Sequence, residues 1–376
     1  MKINKFTALA MFFSFALFTL KPAFATTMEE VRALQAKAAL SMEKLKSSAE
    51  AGKDISRIVP MMKRVKVLGD KGKIREADKL LDKILYEFQL LNSPIVREQP
   101  RSDGPQTFIN PRKVKIHGYN KSAMEAFITG DGEYLFFNND KDDTPKTDKD
   151  IYYAQRIDEV NFKFMGEVKG INSAKVDGVP TMDKYGNFYF ISMSNYTKEN
   201  GFATVYSGKF HKGHVRNVKA HPELSLNLPG WINMDIEISP GGSTIYSTQT
   251  YFGEGPPPKQ SYFIVAHMRN GKFEIDPRSN DIFHNINTGD LEYGASISAD
   301  GLELYFTRLS YGGGLAFNSY YATRPHRDAR FSVPGRITAI SGHAEAPAIS
   351  SDGQLMYFHK KDKGRFHLYV LERAAK

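Results

Sequence analysis

Carboxylates recur at comparable places in this 376-residue chain, each shortly before a predicted β-strand. Carboxylates that share one site repel one another, raise some of their pKa values or take up a cation. A pair of them, one acting as acid and the other as base or nucleophile, can hydrolyse a glycosidic bond. If the protein is an enzyme, its catalytic candidates are therefore Asp235, Glu292 and Glu345. A repeated acidic residue also has a structural explanation, because it can bind the amides of its own loop.

Other polar and aromatic residues flank the same predicted strands, where they could bind a ligand beside the carboxylates. Trp231 is the only tryptophan and could stack on a sugar or a peptide. A single tryptophan can equally serve as core packing. The ligand-binding candidates are Glu125, Trp231, Asp235, Glu292, Arg308, Tyr311, His343 and Glu345.

One acidic stretch, NNDKDD at 138–143, offers oxygen ligands at alternate positions, as calcium loops do. The metal candidates are Asn138, Asp140 and Asp142. The turn glycine and the twelfth-position glutamate of an EF-hand are missing, so a solvated acidic loop is the simpler interpretation. The chain has no HExxH motif, no G-x-S-x-G nucleophile elbow and no P-loop, and we expect no cofactor.

The elements that would position these residues form a repeat. Ser298–Arg308 reads SADGLELYFTR and Ser350–His359 reads SSDGQLMYFH, and weaker copies surround Gly132, Gly186 and Gly242. The turn glycines of the five copies (132, 186, 242, 301 and 353) are 54, 56, 59 and 52 residues apart, a period typical of four-stranded propeller blades. Glycine accepts the positive φ of a hairpin turn, and the aromatic residues that follow suit a half-buried strand.

The last copy ends before a fourth strand can form, whereas residues 108–117, ahead of the first copy, resemble the other fourth strands. We therefore expect the N-terminal strand to complete the C-terminal blade. The predicted fold is mainly β: a five-bladed β-propeller over 108–376, preceded by a short all-α element. A six-bladed ring would require the helical segment to be strand instead.

Residues 26–95 carry the helical pattern. Thr27 and Glu30 are spaced as a capping box, and Val31, Leu34 and Ala38 fall on one face of a helix. A glycine-containing turn at 69–72 precedes a second amphipathic stretch, as in a tetratricopeptide-like helical hairpin. The element either packs on the propeller or docks a partner. Residues 96–107, rich in proline, read as a linker.

The first 25 residues have the form of a secretory signal peptide, with a basic start, an apolar run from Phe6 to Leu20 and Ala23-Phe24-Ala25 before the cleavage point. We expect a periplasmic or secreted protein without a transmembrane segment after cleavage. The chain has no cysteine, which excludes disulfides and thiolate metal sites. Its net charge of +9 would suit anionic envelope material. Export disfavours a nucleic-acid partner, and the sequence has no DNA- or RNA-binding motif, so we expect no such partner.

The Asp-Gly-x-x-Leu-Tyr-Phe motif at 300–306 resembles the WD40-like repeats called PD40, found in the propeller of TolB-family periplasmic proteins. The resemblance covers about Phe108 to Arg373 and implies a periplasmic binding or scaffold protein. TolB-type proteins usually have six blades and an α/β N-terminal domain, whereas this sequence predicts five blades and helices.

The sequence thus predicts an exported propeller that acts as a non-catalytic binding or assembly module, with an envelope protein or a polysaccharide held over its channel face. The alternative is a glycan-active enzyme that uses the channel carboxylates. Two carboxylates placed close together at the channel mouth would favour the enzyme.

Overall fold

The computed structural model describes residues 28–51, 53, 55, 58–92, 108–140, 148–253, 255–310 and 315–374. The chain divides into two compact units, residues 1–95 and 96–376. The predicted signal peptide and linker lie outside the described residues.

The first unit consists of three helices: α1 (Met28–Glu50), α2 (Ile58–Asp70) and α3 (Ile74–Asn92). Helix α3 contacts both α1 and α2. It buries Ala77, Leu81, Ile84 and Phe88, which recur at helical spacing and so form one apolar face. Gly72 takes a φ of +69° in the turn between α2 and α3. None of the described helices has the length and apolar composition needed to cross a bilayer.

The second unit is built from five sheets that follow one another along the chain. The strands of the first and second blades are β3 (Met124–Ile128), β4 (Tyr134–Asn138), β5 (Ile151–Arg156), β6 (Asn161–Glu167), β7 (Asp177–Met182), β8 (Asn187–Ser192), β9 (Val205–His211) and β10 (His214–Ala220). Those of the third, fourth and fifth are β11 (Trp231–Ile238), β12 (Thr244–Tyr251), β13 (Gln260–Arg269), β14 (Lys272–Ile275), β15 (Leu291–Ile297), β16 (Glu303–Ser310), β17 (Ala316–Thr323), β18 (Gly335–Arg336), β19 (Ala344–Ile349), β20 (Leu355–Asp362) and β21 (Arg365–Arg373). Two short helices, a 3-10 turn at Pro222–Leu224 and α4 at Ser279–Ile282, lie between strands.

The innermost strands β3, β7, β11, β15 and β19 each contact their two neighbours, so they form a closed ring. The prediction of a mainly β, five-bladed propeller with helices ahead of it is confirmed. Between blades the core is largely aromatic. For example, Phe136 of the first blade meets Phe188 of the second edge-to-face, with ring centroids 5.0 Å apart.

The ring is joined at one N-terminal segment, which consists of β1 (Phe108–Lys113) and β2 (Lys115–His117). Strand β1 pairs antiparallel with β21 and completes the fifth sheet, and β2 pairs parallel with β6 of the first blade. Residues 108–117 therefore bridge the last blade and the first. They also cover sheet edges that would otherwise be open to pairing with another chain.

The repeated Ser-x-Asp-Gly motif is a self-contained turn. In the fifth blade Ser350 Oγ donates to Asp352 Oδ1 (2.6 Å) and accepts from the backbone N–H of Leu355 (2.9 Å). The N–H of Gln354 donates to the same Asp352 oxygen (3.0 Å), and Gly353 supplies a φ of +71°. The fourth blade repeats these contacts, so the motif is explained by turn formation.

We expect the closure to depend on Phe108, which is 1% exposed, meets Tyr305 edge-to-face and lies under the guanidinium of Arg373. Phe108→Ala should lower the free energy of unfolding by about 3–5 kcal/mol, the usual cost of deleting a buried aromatic ring. Chemical denaturation followed by fluorescence would measure it. Lys113→Ala, an exposed position on the same strand, is the control. Equal midpoints for the two variants would contradict this role for Phe108.

Candidate functional site

The five innermost strands share an irregularity, a β-bulge near the end at which the chain enters them. Four residues at these bulges have a positive φ: Glu125 (+52°), Val179 (+52°), Gly294 (+64°) and Ala346 (+53°). Three of these are not glycine, so the conformation is strained and must be held by its surroundings. Bulges of this kind redirect side chains and are common beside active sites.

Each bulge donates a backbone N–H to a side chain of the preceding blade. The donor–acceptor pairs are Glu125 N to His359 Nδ1 (3.2 Å), Val179 N to Asn138 Oδ1 (3.3 Å), Asn233 N to Thr204 Oγ1 (3.0 Å), Gly294 N to Asp235 Oδ2 (2.9 Å) and Ala346 N to Thr307 Oγ1 (2.9 Å). We call these five contacts the bulge locks. They bind every blade to the next, and two of their acceptors, Asp235 and His359, are ionisable.

Ionisable residues gather around the bulges of the first, third, fourth and fifth blades. This set, which we call the channel-mouth cluster, comprises Glu125, Lys149, Asp235, Tyr293, His343, Glu345 and His359. It contains four of the eight predicted ligand-binding residues, namely Glu125, Asp235, His343 and Glu345.

Two adjacent residues, Tyr293 and Gly294, hold the two main carboxylates of the cluster. The Gly294 N–H donates to Asp235 Oδ2 at 2.9 Å, and the Tyr293 hydroxyl donates to Glu345 Oε2 at 2.5 Å. The structure thus brings Asp235 and Glu345 to the same two-residue segment. A Cβ on Gly294 would approach the backbone of Ala346 to 3.2 Å, so this segment fits closely against the fifth blade.

The two carboxylates have opposite electrostatic environments. Burial and the nearby charge of Glu125 raise the pKa of Asp235 to about 7, in spite of the bonds from Gly294 and Thr248. Burial also opposes ionisation of Glu345. There, however, the hydrogen bond from His343, the electrostatic effect of the nearby His359 ring and the Tyr293 hydroxyl outweigh burial, and the pKa of Glu345 lies below the usual value. Near pH 7 the cluster therefore holds one partly protonated carboxyl and one ionised carboxylate.

Glu125 and Lys149 form a half-buried ion pair beside Asp235, with 3.0 Å between Lys149 Nζ and Glu125 Oε1. Burial disfavours the charged lysine, but the Glu125 carboxylate more than compensates and raises the pKa of Lys149. The other Glu125 oxygen lies against Gly178, where a Cβ would come within 3.2 Å of it.

The Glu292 carboxylate makes its hydrogen bonds inside its own blade. Its carboxylate pairs with Arg308 (2.8 Å) and accepts bonds from the hydroxyl and N–H of Thr288. Asp177 occupies the equivalent place in the second blade, because both residues lie nine positions before the turn glycine of their blade. It likewise accepts bonds from the hydroxyl and the N–H of one residue, Ser173. This is the loop-binding role that the sequence offered as the structural explanation. Arg308, buried and stacked near Tyr320, is occupied with the same pair.

The remaining predicted binding residues are dispersed. Trp231 is 2% exposed and stacks on Tyr251 with ring centroids 5.0 Å apart, so it packs in the third blade. His343 stacks on Phe317 at 4.1 Å and bonds Glu345 through Nε2 (2.8 Å), at the rim of the cluster. Tyr311 lies outside the described residues.

The acidic stretch does not assemble a metal site: in the part of the chain that is described, no three His, Asp or Glu side chains are placed so that together they could hold a metal ion. The side chain of Asn138 accepts the Val179 lock and donates to the carbonyl of Asn139. Asp142 lies outside the described residues. A surface cavity of about 680 Å³ lies elsewhere, lined in part by Arg112, Arg156 and Glu159, and none of the channel-mouth cluster borders it.

A second buried carboxyl, Glu237, lies one step further along β11. It accepts hydrogen bonds from the hydroxyls of Thr181 (2.7 Å) and Ser296 (3.4 Å) on the two flanking innermost strands. Burial raises its pKa to about 7, since no cation offsets the loss of hydration. This carboxyl therefore ties three innermost strands together in its protonated form.

Because the pKa of Glu237 is raised on folding, its contribution to stability is complete below its unfolded value near 4.5 and is lost as the pH rises to about 7. Glu237→Gln cannot ionise. Its free energy of unfolding relative to the parent protein should rise by up to about 3 kcal/mol between those pH values. Urea denaturation across this range measures the difference, with exposed Glu274→Gln as control. A difference independent of pH would refute the raised pKa.

One further hydrogen-bond chain has the connectivity of a serine nucleophile with its base. Ser207 Oγ lies 2.7 Å from His221 Nε2, and His221 Nδ1 lies 2.9 Å from Glu223 Oε1. Both Ser207 and His221 are 4% exposed, and the imidazole lies close to the rings of Tyr189 and Phe273. These rings enclose the three hydrogen-bonded side chains. We therefore interpret them as a polar network within the core between the second and third blades.

We expect His221→Ala to lower the free energy of unfolding by about 2 kcal/mol or more, because it leaves the buried Ser207 hydroxyl without its hydrogen-bond partner and creates a cavity. Thermal unfolding would show it, with exposed His211→Ala as the control. The enclosed serine should also resist a fluorophosphonate probe. Labelling of Ser207 in the folded protein would contradict the core assignment.

The fold and the cluster define a five-bladed β-propeller with an ionisable channel mouth. No family model and no curated protein matches the chain. Solved structures similar to it include a family 117 glycoside hydrolase from Zobellia galactanivorans (13% identity, 72% of this chain and 91% of that chain, TM-score 0.48). Another is an endo-1,4-beta-xylanase from Bacteroides thetaiotaomicron, with 12% identity over 70% of this chain and 97% of that chain and a TM-score of 0.42. A putative TolB from Agrobacterium tumefaciens is also similar, with 14% identity over 68% of this chain and 62% of that chain and a TM-score of 0.27.

The expectation of a non-catalytic binding module is corrected by these findings. Several of the similar structures are named as glycoside hydrolases. At these identities the likeness speaks for the fold alone. The case for chemistry rests on the channel mouth, where the pKa of Asp235 is raised to about 7 and that of Glu345 is lowered.

Sequence reasoning missed four residues of this region: Lys149, Tyr293, His359 and Glu237. His359 ends one of the two clearest repeat copies, and comparison of the copies would have set it beside Thr307. Tyr293 follows Glu292 directly. The sequence therefore indicated the correct segment, but the residue of that segment that reaches the channel-mouth cluster is Tyr293 and not Glu292. Lys149 lies in a loop whose length differs from one repeat to the next, so comparison of the repeats gives no signal for it.

Proposed function

We propose that this protein is a glycan-active hydrolase that cleaves a glycosidic bond at the channel mouth. Asp235 is the general acid and Glu345 the ionised carboxylate that acts with it. The observation that carries the proposal is the pair of bonds from Tyr293 and Gly294. These connect the two carboxyl groups to one two-residue segment, and their surroundings move the two pKa values apart.

Asp235 would protonate the oxygen of the leaving sugar, which breaks the bond between that oxygen and the anomeric carbon. Glu345 would either take a proton from the attacking water or attack the anomeric carbon itself. The first route inverts and the second retains the configuration at that carbon, so the released sugar reports which occurs. Asp235 recovers its proton from water after the first route, or from the hydrolytic water after the second.

Lys149 and Tyr293 support this division of roles. The Lys149 ammonium neutralises Glu125 and limits the repulsion between Glu125 and Asp235. The Tyr293 hydroxyl donates to Glu345 and so favours its ionised form. At the rim, the stacked rings of Phe317 and His343 lie next to Glu345 and offer a flat surface to a sugar ring.

We infer that the reaction takes place outside the cytoplasm, in the periplasm or beyond, with a polysaccharide as the partner. This rests on the signal-peptide pattern of residues 1–25. The Asp-Gly repeat supports kinship with PD40 propellers, which the resemblance to TolB-family proteins suggested.

The test is release of reducing sugar from a panel of plant, algal and bacterial polysaccharides. Asp235→Asn and Glu345→Gln should each lower kcat/KM at least about 100-fold, as loss of an acid or base does. Glu133→Gln, at a hairpin turn outside the cluster, is the control. Hydrolysis that persists in both cluster variants would refute the assignment. A panel from which the parent protein releases no sugar would refute the function.

The pH profile gives a separate check. Because Asp235 must be protonated and its pKa is about 7, kcat/KM should fall about tenfold per unit above that pH. On the acid side, activity should persist down to pH 4.5 and fall only below it, where Glu345 becomes protonated. A profile that rises through pH 8 would show that Asp235 is not the acid.

A further inference from the structure

Position 359 is the fifth-blade member of the bulge locks, and its histidine supplies more than the lock requires. Thr307, in the equivalent place 52 residues earlier, accepts the N–H of Ala346 with a hydroxyl, and Asn138 accepts that of Val179 with an amide oxygen. A small acceptor is therefore sufficient for the lock. Only the fifth blade uses a ring that also carries a second nitrogen.

The lock fixes the tautomer of this histidine. The Glu125 N–H donates to Nδ1 at 3.2 Å, so Nδ1 carries a lone pair. In the neutral ring the proton must then be on Nε2. Burial lowers the pKa of His359 below its ordinary value, against the opposing charges of Glu345 and Glu125, which agrees with a neutral ring near pH 7.

The Nε2–H group points into the channel-mouth cluster without a hydrogen-bond partner among the described residues. The His359 side chain is 2% exposed, so this donor is also shielded from solvent. Glu345 Oε1 lies 3.9 Å from Nε2, which is too far for a hydrogen bond. A buried donor without an acceptor has lost its hydration with no bond in return, and such groups are few in folded proteins and call for an explanation.

We propose that His359 Nε2 and Glu345 Oε1 together bind one O–H group of the reacting system. That oxygen accepts a hydrogen bond from the histidine and donates its own hydrogen to the carboxylate. A hydroxyl fits the 3.9 Å gap because it is donor and acceptor at once, whereas a second donor or a carboxylate would leave one side unpaired. The inference rests on the proposed function, since the group is either a sugar hydroxyl or the attacking water.

The first test is independent of activity. The full-length chain, labelled with ¹⁵N-histidine, should give a two-bond ¹H–¹⁵N spectrum in which the ring of residue 359 is the Nε2–H tautomer at pH 7. The His359→Gln spectrum assigns the signal by its loss, and His343→Gln provides the matched control. An Nδ1–H tautomer or a charged ring would overturn the proposal.

The second test uses whichever polysaccharide the sugar-release panel identifies. His359→Asn and His359→Thr reproduce the acceptors of the first and fourth blades, so they keep the lock, but both side chains are too short to place a donor where Nε2 lies. Both should lower kcat/KM at least about tenfold, whereas His359→Gln retains an N–H toward the mouth and should lose less. Midpoints of unfolding close to the parent value would show that the lock is intact.

The two sources of the O–H group give different kinetics. A sugar hydroxyl bound equally in ground and transition states predicts a higher KM with little change in kcat, and attacking water predicts a lower kcat at constant KM. Unchanged kcat/KM in folded His359→Asn or His359→Thr would overturn the proposal. A panel without hydrolysis would refute the proposed function and leave the tautomer result standing, so the two failures are distinguishable.

Discussion

The architecture depends on satisfying one backbone N–H per blade. Each innermost strand bulges and donates an amide to a side chain of the blade before it, through acceptors as different as Thr307, Asn138 and His359. An unsatisfied buried amide would cost as much as a lost hydrogen bond, so these contacts fix the angle and register of neighbouring blades. The chemistry of the mouth arises from the same requirement, because two of the acceptors are ionisable. Asp235 and His359 are thus structural locks and site residues at once.

The properties of the mouth come from competition between burial and hydrogen bonding. Burial disfavours ionisation of both Asp235 and Glu345. Asp235 also faces the charge of Glu125, and the balance keeps it partly protonated. Glu345 has donors on both oxygens, from Tyr293 and His343, which favour the anion. A single strand segment, Tyr293-Gly294, contacts both groups, so small movements of the fourth blade would alter the pair together.

Reactive residue types are common elsewhere in the propeller without forming a site. The Ser207–His221–Glu223 chain has the distances of a nucleophile and its base, yet the aromatic rings of the core enclose it. Glu292 and Arg308 are likewise committed to each other inside the fourth blade. Hydrogen-bond geometry alone therefore does not distinguish a catalytic group from a structural one. His359 differs from these groups in that its Nε2 is buried without a hydrogen-bond partner among the described residues, 3.9 Å from an oxygen of Glu345.

The sequence by itself determined the blade count, the strand order within each blade and the Ser-x-Asp-Gly turns, because these follow from local periodicity and from the φ that glycine allows. It also indicated which carboxylates precede innermost strands. Only the tertiary structure decided that Asp235 and Glu345 bond to the adjacent residues Gly294 and Tyr293, while the Glu292 carboxylate turns into its own blade. A bulge changes the direction of a side chain without leaving a reliable mark in the sequence. Lys149 and His359 joined the cluster through contacts between separate elements, which no local pattern encodes.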